Sequence, residues 1–491
     1  MPKIIITDED FTTAVGNITS SYGAFVPGFA GNGARVGYPT VATEYTSLSA
    51  FKTDMGTAPQ TLGNNLVDTG YMYACELLGA GLPVVYKVIP MTTELTPIED
   101  EVTVAESKCT LTHEPADVNA MVFKDADGVE VVGVTATVAK EGDNYVATLT
   151  AEGSGGGDVS LIKFIDYSFE AEDYVDPTTI TVADICERIS EEGEFFNEVA
   201  DRGLYDASFI TTGGYPTVWV KGDGTRGNMI DKLVAVCAER GDCFALVDFD
   251  KSIEFKINSQ GAIVDQNGNT LSELNVQEGL SQDAFVIAPW CEFTPNFSGN
   301  STTTWFPGSF AFLKAFAGSI KTNNSWFATA GVKRGAVACN GISQVITNSE
   351  ADALQPSAGR SVNAITYIKP YGYVIYGNRT LLANVSEGLV ANSFINIRQL
   401  VHDVKRHVYS VCKGLMFDPN NDILWVNFKN AVTPLLEKMR SGQGISSYRL
   451  VKIQSSARGT LSAKIIIAPI EAVETFNITV ELTDEDVTVT G

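Results

Sequence analysis

The sequence is short of the residue types that most enzymes lean on. Histidine occurs three times in 491 residues, as His113, His402 and His407. Catalysis through a histidine base therefore has little to work with, and no Ser/His/Asp or Cys/His set has local support. His402 and His407 lie five residues apart on a helical stretch, hence on different faces, and do not make a metal pair. The eight cysteines (Cys75, Cys109, Cys186, Cys237, Cys243, Cys291, Cys339 and Cys412) include no C-x-x-C pair. Zinc sites need such close spacing, so no metal site is expected. Several sit in apolar stretches such as "LVAVCAE" and "GAVACNG" and read as small core residues. Basic residues are also few, 34 Lys+Arg against 59 Asp+Glu, for a formal charge of −25. That field repels phosphate backbones and anionic membranes. With no Lys/Arg cluster to oppose it, nucleic acid is not an expected partner. No apolar run approaches the ~18–20 residues needed to cross a bilayer, so direct membrane insertion is not expected. The opening "MPKIIITDEDF" reaches acidic residues after three isoleucines and does not read as a signal peptide. The chain is expected to be made and kept in a cytoplasm, where a disulfide framework is unlikely to persist.

What is present describes a globular chain with a substantial core: 44% hydrophobic residues and 19% charged. The length suggests two to four domains. The expected fold class is α+β, multidomain: mixed α/β core domains, an inserted all-β domain, and extended strand arms at both ends. Residues 1–20 read as an arm and 21–95 as the first part of the α/β core. Within that part "SLSAFKTDMG" and "LVDTGYMYACELLGAG" are helical and closed by glycine. Residues 96–158 change character to short alternating runs separated by turn signals such as "DADG" and "EGDN". They read as an inserted β domain ending in a "GSGGG" joint at 153–157. Strands and helices alternate through 159–324, an α/β middle domain. In the last part, 325–472, "INIRQLVHDVKRHVYSVC" places Ile397, Leu400, Val401, Val404, Val408 and Val411 on one helical face. "NDILWVNFKNAVTPLLEKMRSG" predicts a second helix capped by Asn421 and stopped at Gly442, with a kink or break at Pro434. The strands "SYRLVKIQ" and "LSAKIIIAPI" follow, and 473–491 reads as a second arm.

One motif points to cofactor chemistry. "VKGDGTRGNMIDKL" places Gly222, Gly224 and Gly227 in a G-x-G-x-x-G pattern after the strand-like "PTVWV" and before a helix. The helix has Asn228 as its cap, a buried stripe of Ile230, Leu233, Val234 and Cys237, and Gly241 as its end. In a dinucleotide site such glycines let backbone N–H groups approach a pyrophosphate, and a downstream acid, here Asp248 or Asp250, binds the ribose. Against this, Asp223 would aim its charge at the phosphates, and 44 glycines make chance matches easy. The loop is expected to be an ordinary strand–loop–helix connection, with an NAD(P)-binding oxidoreductase as the alternative. "GVKRG" (331–335) lacks the ending of a phosphate loop.

The arms carry more weight. "TFNITVELTDEDVTVTG" alternates Phe476, Ile478, Val480 and Leu482 with polar neighbours, and Ile4, Ile5 and Ile6 form an apolar run near the other end. A strand at a chain end cannot bury its apolar face alone. It either folds back on its own domain or completes the sheet of a neighbouring subunit. Head-to-tail contacts of the second kind build rings or helical filaments.

Several ordered motifs resemble the tail sheath proteins of contractile phage tails and related injection machines. "SWFATAGVKRGAV" (325–337) is similar to that family's Trp–Ala–Pro–Ala–Gly segment and the basic residue and glycine after it. "YGYVIYGNRTL" (371–381) resembles its glycine–valine–tryptophan–glycine–x–Arg–Thr–Leu strand. "FINIRQLVHDVKRHV" resembles its long helix, and "MFDPNNDILWVNFKNAVTPLLEKMRSGQGI" the Phe–Glu–Pro–Asn, Trp, Leu, Gly series that follows. The resemblance spans roughly residues 325–470, with looser echoes over 20–90 and 200–250. Thr329 stands where the family has proline, Tyr376 where it has tryptophan, and Gln399 where a second arginine is usual. The resemblance implies a structural, non-enzymatic subunit with no cofactor, forming hexameric rings that stack helically around a tail tube. It implies the tube, baseplate and tail terminator proteins as partners, and a place in the virion tail after assembly in the host cytoplasm. The terminal arms would link neighbours through Ile4, Ile5, Ile6, Phe476, Ile478, Val480 and Leu482. A non-contractile virion surface protein would share the acidic composition and is the other alternative.

Overall fold

The computed structural model describes residues 22–30, 42–59, 61–62, 66–90, 96–142, 144–151, 157–169, 179–191, 193–277, 280–295, 303–356, 359–383, 389–453 and 459–472. At its centre is a nine-stranded sheet. Across it run Thr43–Tyr45, Val84–Pro90, Ala24–Ala30, Phe209–Ile210, Phe244–Val247, Ala284–Ala288, Asn363–Ile368, Gly372–Tyr376 and Ala336–Val337. The strands from Val84–Pro90 through Asn363–Ile368 are all parallel, and each strand outside them pairs antiparallel with its neighbour. Parallel strands covered on both faces read as continuous apolar runs. "FALV" and "AFVIA" are buried at every position.

Helices cover both faces. One face packs against Val182–Glu191, Gly193–Ala200 and Ile230–Arg240, the other against Thr69–Ala80 and Gly308–Ile320, giving two large apolar cores. The helices "SLSAFKTDMG" and "LVDTGYMYACELLGAG" form as Leu48–Met55 and Thr69–Ala80, with Gly81 left-handed at φ 86°.

The expected border between residues 324 and 325 does not separate two domains. Ala284–Ala288 pairs in parallel with Asn363–Ile368, so one sheet runs through both segments. Sequence alternation locates strands but not their neighbours, and this pairing joins residues far apart in the chain.

The inserted β module also differs from expectation. It contains two three-stranded sheets, one of Lys108–Leu111, Asn144–Ala151 and Val134–Glu141, the other of Thr96–Glu101, Phe164–Phe169 and Val122–Lys124. Phe164–Phe169 lies between the module's other strands and supplies Ile165 and Tyr167 to its core. The module therefore reaches Phe169 rather than ending at 158. Most of the glycine stretch lies outside the described residues, and Gly157 bonds back to the Val132 carbonyl at 3.1 Å.

The C-terminal unit has the helix Ile395–Leu415, the helix Asp422–Ser441 and a ribbon of Ile445–Ile453 with Ser462–Pro469. Asn421 caps the second helix, accepting from the backbone N–H groups of Ile423 and Leu424. Pro434 does not break this helix, which continues to Ser441. Pro434 is on the exposed side, where water can serve a freed carbonyl, while Val432, Leu435, Leu436 and Met439 stay buried around it.

Candidate assembly interface

The long helix Ile395–Leu415 joins the C-terminal unit to the sheet. Its apolar stripe behaves as the periodicity predicts: Leu400 and Val404 pack with Phe428, Leu436 and Met439. The surprise is the opposite side. Every residue from Ile395 to Arg406 is buried, including Arg398, His402, Asp403, Lys405 and Arg406. Sequence periodicity assigns such charges to solvent, and only distant partners explain them.

Those partners stand just before the strands of the sheet. Asp283, which precedes Ala284–Ala288, accepts from Arg398 Nε at 3.0 Å and from His402 Nε2 at 2.7 Å. Burial pushes the Asp283 carboxyl up, but Arg398 first and then His402 outweigh this and hold it well below the usual carboxylate range. Burial pushes His402 down to about 4, with Asp283 opposing. At neutral pH the imidazole is therefore uncharged and donates its Nε2 proton to the carboxylate. Its ring meets Phe244 edge-on at 4.4 Å.

A second knot forms at Asp242, which precedes Phe244–Val247. Arg406 donates to the Asp242 carbonyl through Nε (3.0 Å) and Nη2 (2.8 Å). Arg240 donates to the Asp242 carboxylate at 3.1 Å and to the carbonyls of Val199, Tyr205 and Ala207. Arg202 donates to the Arg240 and Lys405 carbonyls and stacks over Tyr409 at 3.9 Å. Charges so buried are tolerated only when paired and hydrogen-bonded, and breaking one such pair costs about 3–5 kcal/mol. The seam holds the helix in one register on the N-terminal edge of the parallel strands.

The ribbon beyond it is only half protected. Its register runs from Ile445 opposite Pro469 to Ile453 opposite Ser462, with Ile445 and Ile467 buried and most other positions partly exposed. Among the described residues no strand pairs with either outer edge. A two-stranded ribbon with free edges is marginal in water and is open to strand addition.

The cofactor candidate dissolves on inspection. Gly222 and Gly224 lie in the turn of a β-hairpin, Val218–Val220 with Arg226–Asn228, and the helix starts only at Ile230. The expected strand–loop–helix connection is thus a strand–turn–strand, and its N–H groups are not at a helix terminus. Asp223 closes the turn by accepting from Thr225 N at 2.8 Å and Oγ1 at 2.6 Å. Gly227 is required by packing: a Cβ there would lie 2.2 Å from Trp219 Cε2. The expected cap shifts by one residue: Met229 holds the cap position without a side-chain bond, and Asn228 before it accepts from Ile230 N at 2.8 Å. Asp248 is buried with Ser309 Oγ donating to it at 2.6 Å, and burial lifts its carboxyl to about 7. Asp250 accepts from Ser252 N and Oγ.

In a doubly wound sheet, ligands usually bind where the strand order reverses, beyond the carboxyl ends of the strands. Here that point lies between Ala24–Ala30 and Phe209–Ile210, and the chain's own atoms fill it. A Cβ on Gly70 would sit 1.9 Å from the Pro27 carbonyl oxygen, and one on Gly213 2.4 Å from it. Tyr86 crosses Gly28 to donate to Asp68 at 2.9 Å, and Asp68 in turn caps Thr69–Ala80.

The eight cysteines are free thiols, with Cys237 and Cys243 in contact at 3.5 Å. Among the described residues no group of His, Cys, Asp and Glu is arranged to hold a metal, and no helix is long and apolar enough to cross a membrane. Ile4, Ile5, Ile6, Phe476, Ile478, Val480 and Leu482 lie outside the described residues.

No protein-family model matches the chain. Two curated relatives do. The tail sheath protein of Vibrio phage KVP40 is 24% identical over 198 residues, covering 38% of this chain and 28% of the relative. The tail sheath protein of Enterobacteria phage T4 is 27% identical over 156 residues, covering 31% and 22% respectively. The matched stretches thus span under a third of either relative's length. Among solved structures, the sheath complex of the extracellular contractile injection system PVC, in its contracted state, shares the fold. It has a TM-score of 0.54 at 13% identity and covers 99% of this chain and 98% of that one. A chain of the anti-feeding prophage baseplate, also contracted, gives 0.51 at 14% identity over 98% and 99%. Part of the chain is thus similar in sequence to tail sheath proteins, and the whole has a mixed α and β fold shared with the sheath complex of that injection system.

Proposed function

We propose that this chain is the structural subunit of a contractile tail sheath. Subunits form hexameric rings, stack around a tail tube, and shorten to drive that tube through a cell envelope. The observation that carries this is the sequence kinship with tail sheath proteins, over a fold shared along almost the whole chain. The filled switch point and the hairpin turn at Gly222–Gly227 support a structural rather than a catalytic role. They leave the NAD(P)-dependent oxidoreductase without a cradle, and the kinship does not favour a non-contractile virion surface protein. The tail tube, baseplate and tail terminator proteins are its partners, and the finished particle is a virion tail assembled in the host cytoplasm.

The ribbon supplies the means of assembly. Its edges, which no other strand covers among the described residues, accept strands, and the alternating segments around Ile4, Ile5, Ile6 and around Phe476, Ile478, Val480 and Leu482 have the pattern to be added by neighbouring subunits. Because the ionic seam holds the helix on the sheet, contraction moves subunits as near-rigid bodies while added strands stay paired.

Negative-stain electron microscopy of the purified protein, alone and with its tube protein, tests the proposal. Hollow tubes with sixfold end views are expected, and removal of residues 474–491 abolishes them while leaving a folded subunit. Monodisperse particles under both conditions, or normal tubes from the truncated chain, would contradict it.

A further inference from the structure

We propose that Asp403, Ser325 and Trp326 form a bracket that ties Tyr22, next in sequence to the N-terminal segment, to Ile470, close in sequence to the C-terminal one. Tension on one segment then passes directly to the other. The inference rests on the assembly role proposed above, but the bracket is visible in the subunit alone.

At one end, Tyr22 stands two residues before Ala24, the first residue of the central strand Ala24–Ala30. Its hydroxyl donates to Asp403 Oδ2 at 3.2 Å, its ring meets Phe316 edge-on at 5.5 Å, and the Arg406 guanidinium lies 5.7 Å from its centre. Asp403 is 1% exposed and is held by Gln399, which donates to Oδ1 at 2.9 Å. Ser325 Oγ donates to the same Asp403 oxygen that Tyr22 uses.

The next residue reaches the other end. Trp326 is buried, and its Nε1 donates to the Gly442 carbonyl at 3.0 Å. Its indole lies against the backbone of Gly442 and Gly444: a Cβ on Gly444 would come within 2.9 Å of Trp326 Cδ1. Asn396 donates to the Trp326 carbonyl at 3.2 Å and fixes it to the long helix. The Gly444 carbonyl accepts from Ile470 N at 3.0 Å, at the foot of the ribbon and just before the last described residues.

The route thus runs Tyr22, Asp403, Ser325, Trp326, Gly442 to Gly444, Ile470. It needs four noncovalent contacts, all in or beside a buried core. The covalent route between the same two ends traverses the whole sheet and both C-terminal helices. In an assembly linked through its terminal segments, a stiff short connection between their roots keeps a pull from one neighbour out of the sheet. These residues position the segments; they do not themselves bind a neighbour.

Two measurements on the full chain test this, with Leu149→Ala, in the core of the inserted module, as an equally disruptive control. The first is amide hydrogen exchange on the unassembled subunit. Trp326→Phe loses a hydrogen bond at the Ile470 end, and should speed exchange at Ala24, on the far side of the bracket, by roughly tenfold. Ser325→Ala, the milder variant, should act in the same direction, while Leu149→Ala leaves Ala24 unchanged. The second is the urea midpoint for disassembly of tubes, followed by light scattering. The bracket variants should lower it further than they lower the subunit's own unfolding midpoint, and Leu149→Ala should do the reverse. Unchanged exchange at Ala24 in both bracket variants, or tubes weakened no more than by the control, would overturn the bracket. Coupled exchange in a protein that forms no tubes would sink the sheath role and leave the bracket standing.

Discussion

Asp283 is one carboxylate facing two cationic or hydrogen-bonding partners, Arg398 and His402, inside the protein. Asp283→Asn keeps an oxygen to accept but removes the countercharge of a guanidinium that is 1% exposed. We expect this to cost about 3–5 kcal/mol, read as a lower urea midpoint at pH 7. A shift no larger than that of a surface substitution would show that the seam is not ionic. Asp248 predicts a pH effect of definite sign. Its folded carboxyl sits at about 7, above the ordinary carboxylate value. The folded state therefore binds more protons than the unfolded state, and this group's contribution is lost as pH rises from about 4 to 7. His402 acts oppositely: with its folded value near 4, its contribution is lost as pH falls from about 6.5 to 4. The two slopes offset each other over that window. Asp248→Asn should raise stability at pH 8 by up to about 4 kcal/mol and expose a steeper loss below pH 6.5. Equal stability at pH 8, or an unchanged acid limb, would contradict the assignment. The ionic seam was not legible in the sequence, because a charge in a helix says nothing of a partner more than a hundred residues away.

At the scale of elements the sequence was more informative where the signal is local. The cap at Asn421, the stop at Gly81, the two strands of the ribbon, and the apolar stripe of Ile395–Leu415 all follow from neighbours within a few residues. The glycine motif shows the limit of such signals. G-x-G-x-x-G specifies conformational freedom, not a helix terminus, and here Asp223 and Thr225 turn the chain back into a strand. The hairpin makes its own prediction about two of the glycines. Gly222 has open space where a side chain would go, so Gly222→Ala should leave stability within about 0.5 kcal/mol. Gly227→Ala would drive a methyl into Trp219 and should cost about 1–3 kcal/mol. Thermal unfolding of both variants checks this. A nucleotide cradle would instead require both glycines for ligand binding, and loss of a thermal shift with NAD in either variant would revive it.

For the whole molecule, composition set the class and long-range pairing set the architecture. Scarce histidine, scattered cysteines and strong acidity pointed away from catalysis, zinc and nucleic acid before any element was placed. The expected domain borders at 158 and 324 shifted because Phe164–Phe169 and Ala284–Ala288 pair with strands distant in sequence. The resulting body has a doubly wound sheet with a filled switch point, a C-terminal unit held to it by buried charge, and a ribbon whose edges pair with no other strand among the described residues. Assembly by strand addition to that ribbon is the central claim. The measurement that tests it most directly is a cryo-EM reconstruction of assembled tubes in which strands are separated. In such a map Ile445–Ile453 and Ser462–Pro469 should lie inside a larger sheet, flanked by strands from neighbouring subunits that include residues around Ile4–Ile6 and Phe476–Leu482. A ribbon still two-stranded in the tube, with subunits joined only through other surfaces, would contradict it.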